Sequence, residues 1–383
     1  MIFTNIFQQL KSDSRLLYFR LWANCILVNG YYRSVIYDIQ RERILPLSKL
    51  FCDTFSRCRR NSINEIYADI SNPNITGFLK IIDYLIDNDY GILVDDPATF
   101  PALSRDFESP FAITNSIVEA DSNSPELMYL SIKRLVNTRI QALRIDDVGA
   151  MTLTVLEKID DLTKQSTIEQ IYIRTHFASY SEQPDCQLSS RFRQIIYYNS
   201  PQDVVIERKN NSRIDIKYYS KSIGYKNCGY IKKDFFICNL PFFTESQHHN
   251  TCLNRKVCID AEGNIKNCPA MAKSFGNIKD TTLEEAINKP GFKDLWYICK
   301  DQIDVCKDCE FRYMCTDCRC FIKDPDNIYS QPAKCTYNPY ICLWEGQEGY
   351  VPVEECGAYS RETGFVPDKK RIKELNKRIW GEE

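Results

Sequence analysis

No stretch of the 383-residue chain approaches eighteen uncharged apolar residues, and the opening MIFTNIFQQLKSDSRLLYFRLW has neither a sustained apolar core nor a small-residue cleavage site. A soluble, cytoplasmic protein is expected. A charge excess is also missing: 49 Lys plus Arg stand against 51 Asp plus Glu, so no broad field draws the chain to nucleic acid or to an anionic membrane. There is no glycine-rich phosphate loop, no G-x-S-x-G elbow and no two-histidine zinc-protease motif, so ATP use by this chain itself is not expected. Internal repeats and low-complexity tracts are absent. What remains, 44% hydrophobic and 26% charged residues over this length, suffices for two or three domains with a sizeable core.

Cysteine is what the chain has in excess. Of 18 cysteines, ten fall between Cys252 and Cys335, as Cys252-x5-Cys258-x4-Gly263-x4-Cys268 and then Cys306-x2-Cys309-x5-Cys315-x2-Cys318, followed by Cys335. With no export signal and a chain too long to need staples, a disulfide scaffold is the wrong reading. Thiolates are soft ligands, and a two-residue gap lets both sulfurs of one turn reach one metal centre. Eight cysteines make two sets of four. Spacing alone serves iron–sulfur clusters and four-cysteine zinc sites equally.

This block closely resembles the SPASM domain, the two-cluster C-terminal extension of many radical-SAM peptide-modifying enzymes. The resemblance implies two iron–sulfur clusters, of 4Fe-4S type, with zinc as the alternative. It assigns Cys252, Cys258, Cys268 and Cys318 to the first, and Cys306, Cys309, Cys315 and Cys335 to the second. The stretch FGNIKDTTLEEA (275–286) also matches, and Thr281-x-x-Glu284 in it reads as a capping box opening a helix. One departure is the two-residue gap between Cys315 and Cys318, where three is common; Cys320 just beyond is a competing ligand, while Cys299 and Cys342 are spare.

Ahead of this block the pattern is mixed. LLYFRLWANCILVNG and YYRSVIYDIQRERILPL (16–47) read as strands joined at the hairpin signal Asn29-Gly30. Helical spacing follows over 47–58 and 62–70, then a helix capped by Asn74, then a strand at 91–95. This layout is winged-helix-like and resembles the leader-recognition module of ribosomal peptide maturation systems, which implies a peptide added as an extra strand on the hairpin edge between Ile26 and Ile39. After Pro97, Pro101 and Pro110 the chain alternates strands and helices, including a helix over 187–198, which predicts a parallel sheet too short to close an eight-unit barrel. The expected fold class is α/β and α+β. It comprises a winged-helix-like unit over 1–95, a reduced radical-SAM-like partial β/α barrel over 96–245, the SPASM domain over 246–345, and a tail to 383 whose last helix packs down Ile372, Leu375 and Ile379.

Radical-SAM chemistry needs three cysteines in one loop, spaced three and two residues apart, to leave one iron open to the methionyl group. No such triplet exists: the loop after the first barrel-like strand reads EADSNSPELM, with Glu119 and Asp121 where thiols should stand. A SPASM block without the triplet resembles the peptide maturases of grasp-with-spasm cassettes, whose partner is an ATP-grasp ligase acting on a small precursor peptide. CKDCEFRYMCTDCRCF (306–321) and GYYRSVIYDIQRERILPL (30–47) carry that likeness. It implies either a maturase or a non-catalytic adaptor that presents the precursor to the ligase, with a zinc-dependent interaction module as a third reading. Catalytic residues are not identifiable. His248-His249 reads more simply as a solvated pair than as a ligand or proton relay. His176 and Asp146-Asp147 end strands where a barrel places its site, and a helix N-cap serves equally well for the two aspartates.

Overall fold

The computed structural model describes residues 16–48, 51, 55–58, 60–69, 72–179, 188–206 and 214–381. Of the helix expected over 47–58, residues 51 and 55–57 are helical, 47 and 48 end a strand instead, and 49, 50 and 52–54 lie outside the described residues, as does Cys186.

Each long N-terminal run divides in two. β1 (Tyr18–Leu21) turns at Trp22, whose carbonyl accepts from the Cys25 N–H, into β2 (Cys25–Asn29). β3 (Arg33–Asp38) turns over Glu42, at φ 53°, into β4 (Arg43–Ser48). β2, β3 and β4 form an antiparallel sheet in that order, while β1 pairs with β5 (Gly91–Val94). β3 is thus a central strand. The Gly30 N–H bond to the Arg33 carbonyl sets the alternation, so Val35 bonds toward β2 and Ile36 toward β4, and both side chains are fully buried. A peptide cannot be added along the whole stretch from Ile26 to Ile39; the free edges are β2 and β4. β4 is the poorer one, because Pro46 faces outward from Val35 without an N–H.

α1 (Ile63–Asp69) opens on a reciprocal cap in which Ser62 and Glu65 satisfy each other's backbone N–H. α2 (Asn72–Asp87) begins two residues before the expected Asn74 cap, and Pro73 suits a first turn that needs no N–H. Ile63, Ile66, Phe78, Ile82 and Leu85 pack with Phe19 and Ile36 into one core.

The larger sheet holds eight strands. β6 (Asn115–Ala120), β7 (Ala142–Asp147), β8 (Gln170–His176) and β9 (Phe192–Tyr198) run parallel, with α3 (Glu126–Val136) and α4 (Leu153–Thr163) in the first two connections. The expected helix over 187–198 is β9: Phe192, Ile195 and Tyr197 pack into the core of a sheet whose buried strands lose the clean alternation that marks them in sequence. β10 (Val204–Ile206) and β11 (Asp215–Tyr219) extend the sheet past β9. On the other side β12 (Lys256–Ile259) pairs parallel with β6, and β13 (Ile265–Lys266) closes that edge. The cysteine-rich segment therefore supplies two strands of the sheet.

One face of this sheet buries Val118, Leu143, Ile145, Ile171 and Ile173 against Met128, Ile132, Leu156 and Ile159. The opposite face carries charge: Glu119, Asp146 and Arg174 lie in one cross-strand row, and Cys258, Ile117 and Arg144 in the next. α5 (Leu240–His248) and α6 (Leu283–Asn288) follow. The capping box of α6 is Thr282 with Glu285, one residue beyond the expected pair, because Thr282 has the extended backbone of a cap. α7 (Lys369–Trp380) seats Ile372, Leu375 and Ile379 on Tyr340 and Ile341 as expected. Among the described residues no helix is long and apolar enough to cross a membrane.

Candidate metal centres

The second cysteine set shares one cavity. Cys306, Cys309, Cys315 and Cys335 line it together with Lys300, Phe236, Phe311, Tyr337 and Trp344. A 3₁₀ turn, Cys306–Asp308, presents the first two: Cys309 N–H donates to the Cys306 carbonyl at 3.0 Å, and Val305 enters the turn at φ 67°, a strained value for a β-branched residue. The Cys309 sulfur accepts from the Phe311 N–H at 3.4 Å, and an isolated bridge between Ile231 and Cys335 brings in the fourth cysteine. Burial pushes the Cys306 thiol up to about 11 and Cys315 to about 12, with the Lys300 cation pulling both down; Cys309 lies well above the usual value, again from burial. Such thiols ionise when a metal replaces the proton. Among the described residues no three His, Cys, Asp or Glu side chains converge on one ion-sized point. These four stand around a cavity instead.

The N-terminal sheet roofs this set. Arg33 Nε lies 2.6 Å from Glu310 Oε1, a side chain with no exposure, and Tyr337 hydrogen-bonds the same oxygen. Tyr37 donates to the Glu310 carbonyl at 2.6 Å, Tyr31 N–H to the Asp308 carbonyl at 2.7 Å, and Arg312 to the Asn29 carbonyl at 2.6 Å. A Cβ on Gly30 would come within 2.9 Å of Glu310 N, so glycine there serves close approach rather than turn geometry. Val28, Val35, Tyr37 and Ile39 share one core with Phe311, Tyr313, Met314 and Tyr337.

The first set is gathered at the edge of the large sheet. Cys258 is buried on β12, Cys268 follows β13, and Asn250 Oδ1 accepts from the Cys252 and Leu253 N–H groups at 3.0 Å. Burial, then the neighbouring Cys252 and Cys320, push the Cys268 thiol up to about 12 against the Ala270 backbone bond; Cys318 is raised by burial with Cys252 nearby. Both Cys318 and Cys320 thus face this set. Cys320 Sγ reaches the Ala270 carbonyl at 3.2 Å, while the chain passes so close to Cys318 Sγ that a Cβ on Gly229, at φ 81°, would lie 3.0 Å away. Cys228 also joins this neighbourhood, influencing Cys320 and Arg144. Nothing in its spacing marked it.

The remaining candidates are structural. Asp147 is buried and accepts from Ser122 N–H at 2.7 Å, Gly149 N–H at 3.1 Å and Thr175 Oγ1 at 2.8 Å, so it fixes the cysteine-free loop after β6. Neither it nor Asp146 caps a helix, since Thr152 takes that position on α4. Asp146 pairs with Arg144 at 3.0 Å. Asp121 Oδ1 accepts from Asn123 within its own loop. Burial raises Glu119 to about 6, with Lys266 opposing. His176 Nε2 meets Asn199 at 2.8 Å, and His249 packs between Phe107 and Tyr297 rather than in a solvated loop. Cys299 caps a 3₁₀ turn and Cys342 lies in the core beneath Arg33.

Residues 251–310 match the SPASM family, described as an iron–sulfur cluster-binding domain, so the class of domain that carries Cys252 to Cys309 is defined. No curated protein matches the chain. Among solved structures, Streptococcus suis SuiB aligns at 10% identity and a TM-score of 0.37, over 84% of this chain and 99% of that one. SuiB bound to S-adenosylmethionine aligns at 9% identity and a TM-score of 0.30, with the same coverage.

Proposed function

We propose that this chain is an iron–sulfur protein of ribosomal peptide maturation, acting on a precursor peptide together with an ATP-grasp ligase. The observation that carries the reading is the cavity shared by Cys306, Cys309, Cys315 and Cys335 beside a SPASM match. Sulfurs set around a cavity can each reach a different iron, which suits a 4Fe-4S cluster better than one tetrahedral zinc. Cys252, Cys258 and Cys268 with Cys318, or Cys320 in its place, would hold the other cluster. A cluster with four thiolate ligands supplies electron transfer or structural support; the chain's own residues bury it, exclude water and fix the sulfurs.

The precursor would bind beside β2. A groove of about 360 Å³ lies between β1, β2 and the segment from Pro97 to Arg105, with Trp22, Ile26, Leu27, Phe100 and Leu103 on its walls. Along the outward side of β2 the Cys25 N–H and the Asn29 carbonyl are already bonded, so pairing would centre on Leu27. Where the chain stands between maturase and adaptor turns on the loop after β6. Its fixation by Asp147 and its lack of cysteine favour the adaptor.

Anaerobically purified protein should contain iron and sulfide in equal amounts, with zinc near background; stoichiometric zinc without sulfide overturns the cluster reading. Mass spectrometry of the precursor after incubation with ligase alone, this protein alone, and both separates the roles. Modification by this protein alone identifies an enzyme, and modification by the ligase only in its presence identifies an adaptor.

A further inference from the structure

A lysine points into the second cavity from a site where lysine rarely stands. The Lys300 side chain is 4% exposed, with Nζ 3.1 Å from Asp317 Oδ1 and 3.8 Å from Cys306 Sγ. Asp317 is also fully engaged elsewhere: Arg319, with no side-chain exposure, pairs with it at 2.6 Å, and Asn250 donates to it at 2.6 Å. One carboxylate thus serves two buried cations. The other cation on the cavity wall, Arg312, has its own partner in Asp301 at 2.8 Å. The Lys300–Asp317–Arg319 network carries a net positive charge in a medium that tolerates none uncompensated. The thiolates of a bound cluster supply the missing negative charge.

The first set is built differently. Lys256 Nζ lies 3.6 Å from Cys252 Sγ, but this lysine is only partly buried, so water screens it; Lys266 beside Cys258 is paired with Asp260 at 3.0 Å, and Glu119 adds negative charge there. A cluster gains a negative charge on reduction, so a fixed buried cation beside one of its sulfurs stabilises the reduced form more than the oxidised. We infer that Lys300 sets the reduction potential of the second cluster and holds it above that of the first, so that an electron delivered to this chain rests on the second cluster. The inference depends on the two-cluster reading above.

The test is a redox titration followed by electron paramagnetic resonance on the full-length, anaerobically purified protein. Cys309→Ala, which removes the second cluster, assigns the signals. Lys300→Met should lower the potential of the second cluster and leave the first unmoved, and Lys300→Arg should restore most of the difference. Asp317→Asn removes the shared anion and should move the second potential upward. Unchanged potentials in a Lys300→Met protein that retains both clusters, or equal shifts in both, overturn the inference. Should that variant lose its second cluster, a potential that stays or falls in Asp317→Asn overturns it instead. Wild-type protein without iron and sulfide fails the cluster reading, whereas wild-type protein with two clusters indifferent to these substitutions fails this inference alone.

Discussion

The two cysteine sets stand in different settings. The first is assembled along a sheet edge, with Cys258 on β12 and Cys268 just past β13. The second lines one cavity, and its roof comes from β2 and β3, some 270 residues away along the chain, as the 277-residue separation of Arg33 and Glu310 illustrates. Pairing of β12 with β6 positions the first set, with Cys258 opposite Ile117. Packing of the N-terminal sheet positions the second, so the second should respond to changes in β2 and β3, and the first should not.

The largest effect is expected from Cys309→Ala, which removes a second-set ligand and with it about half of the bound iron, because ligand loss and domain stability are coupled. Iron and sulfide assays with thermal unfolding measure it, and Cys299→Ala and Cys342→Ala should keep the wild-type metal content. Retention of full iron by Cys309→Ala would erase the distinction between the sets. Next is Arg33→Met, which strands the buried Glu310 carboxylate and should cost about 3 kcal/mol. Denaturant unfolding gives the cost, and chelator release should quicken for the second cluster while the first holds its rate. Gly30→Ala follows. Its new methyl meets the Arg33 carbonyl at 2.7 Å and the Glu310 backbone at 2.9 Å, forcing the hairpin off its seat for about 1–3 kcal/mol of stability.

The smallest effect concerns acid. Burial works to raise Asp38, but hydrogen bonds from the Arg41 backbone, Arg43, the Arg41 side chain and Asn24 win and hold it below the usual carboxylate range. A depressed carboxyl contributes stability that is complete above the unfolded value of about 4 and is lost as pH falls through the folded value. The roof over the second set should therefore loosen below about pH 4, and Asp38→Asn should remove that dependence together with some neutral-pH stability. Protease sensitivity of residues 25–48 across pH reads this directly.

The clustering of the cysteines was legible because their spacing is written in the local chain, and so were β6 to β8, α3, α4 and α7, whose periodicity survives in the sequence. The hairpin was legible for a partly different reason: Asn29-Gly30 sits at its base, with Tyr31 and Tyr32 in the turn, and Gly30 is needed for its approach to Glu310. β9 was misread because a strand buried within a sheet carries no clean two-residue alternation. Lys300, Glu310, Asp317 and Arg319 gave no signal at all. A charged residue in sequence reads as surface, and only tertiary pairing reveals that these four are buried.

The seat of Gly30 on Glu310 also bears on chimaera design. Exchanging the N-terminal 95 residues for those of another protein would bring a foreign hairpin tip against an unchanged 308–312 segment, where even one methyl group does not fit. A workable crossover has to carry the tip and its socket together, so residues 30–37 and 306–315 form one heritable unit split across distant parts of the gene.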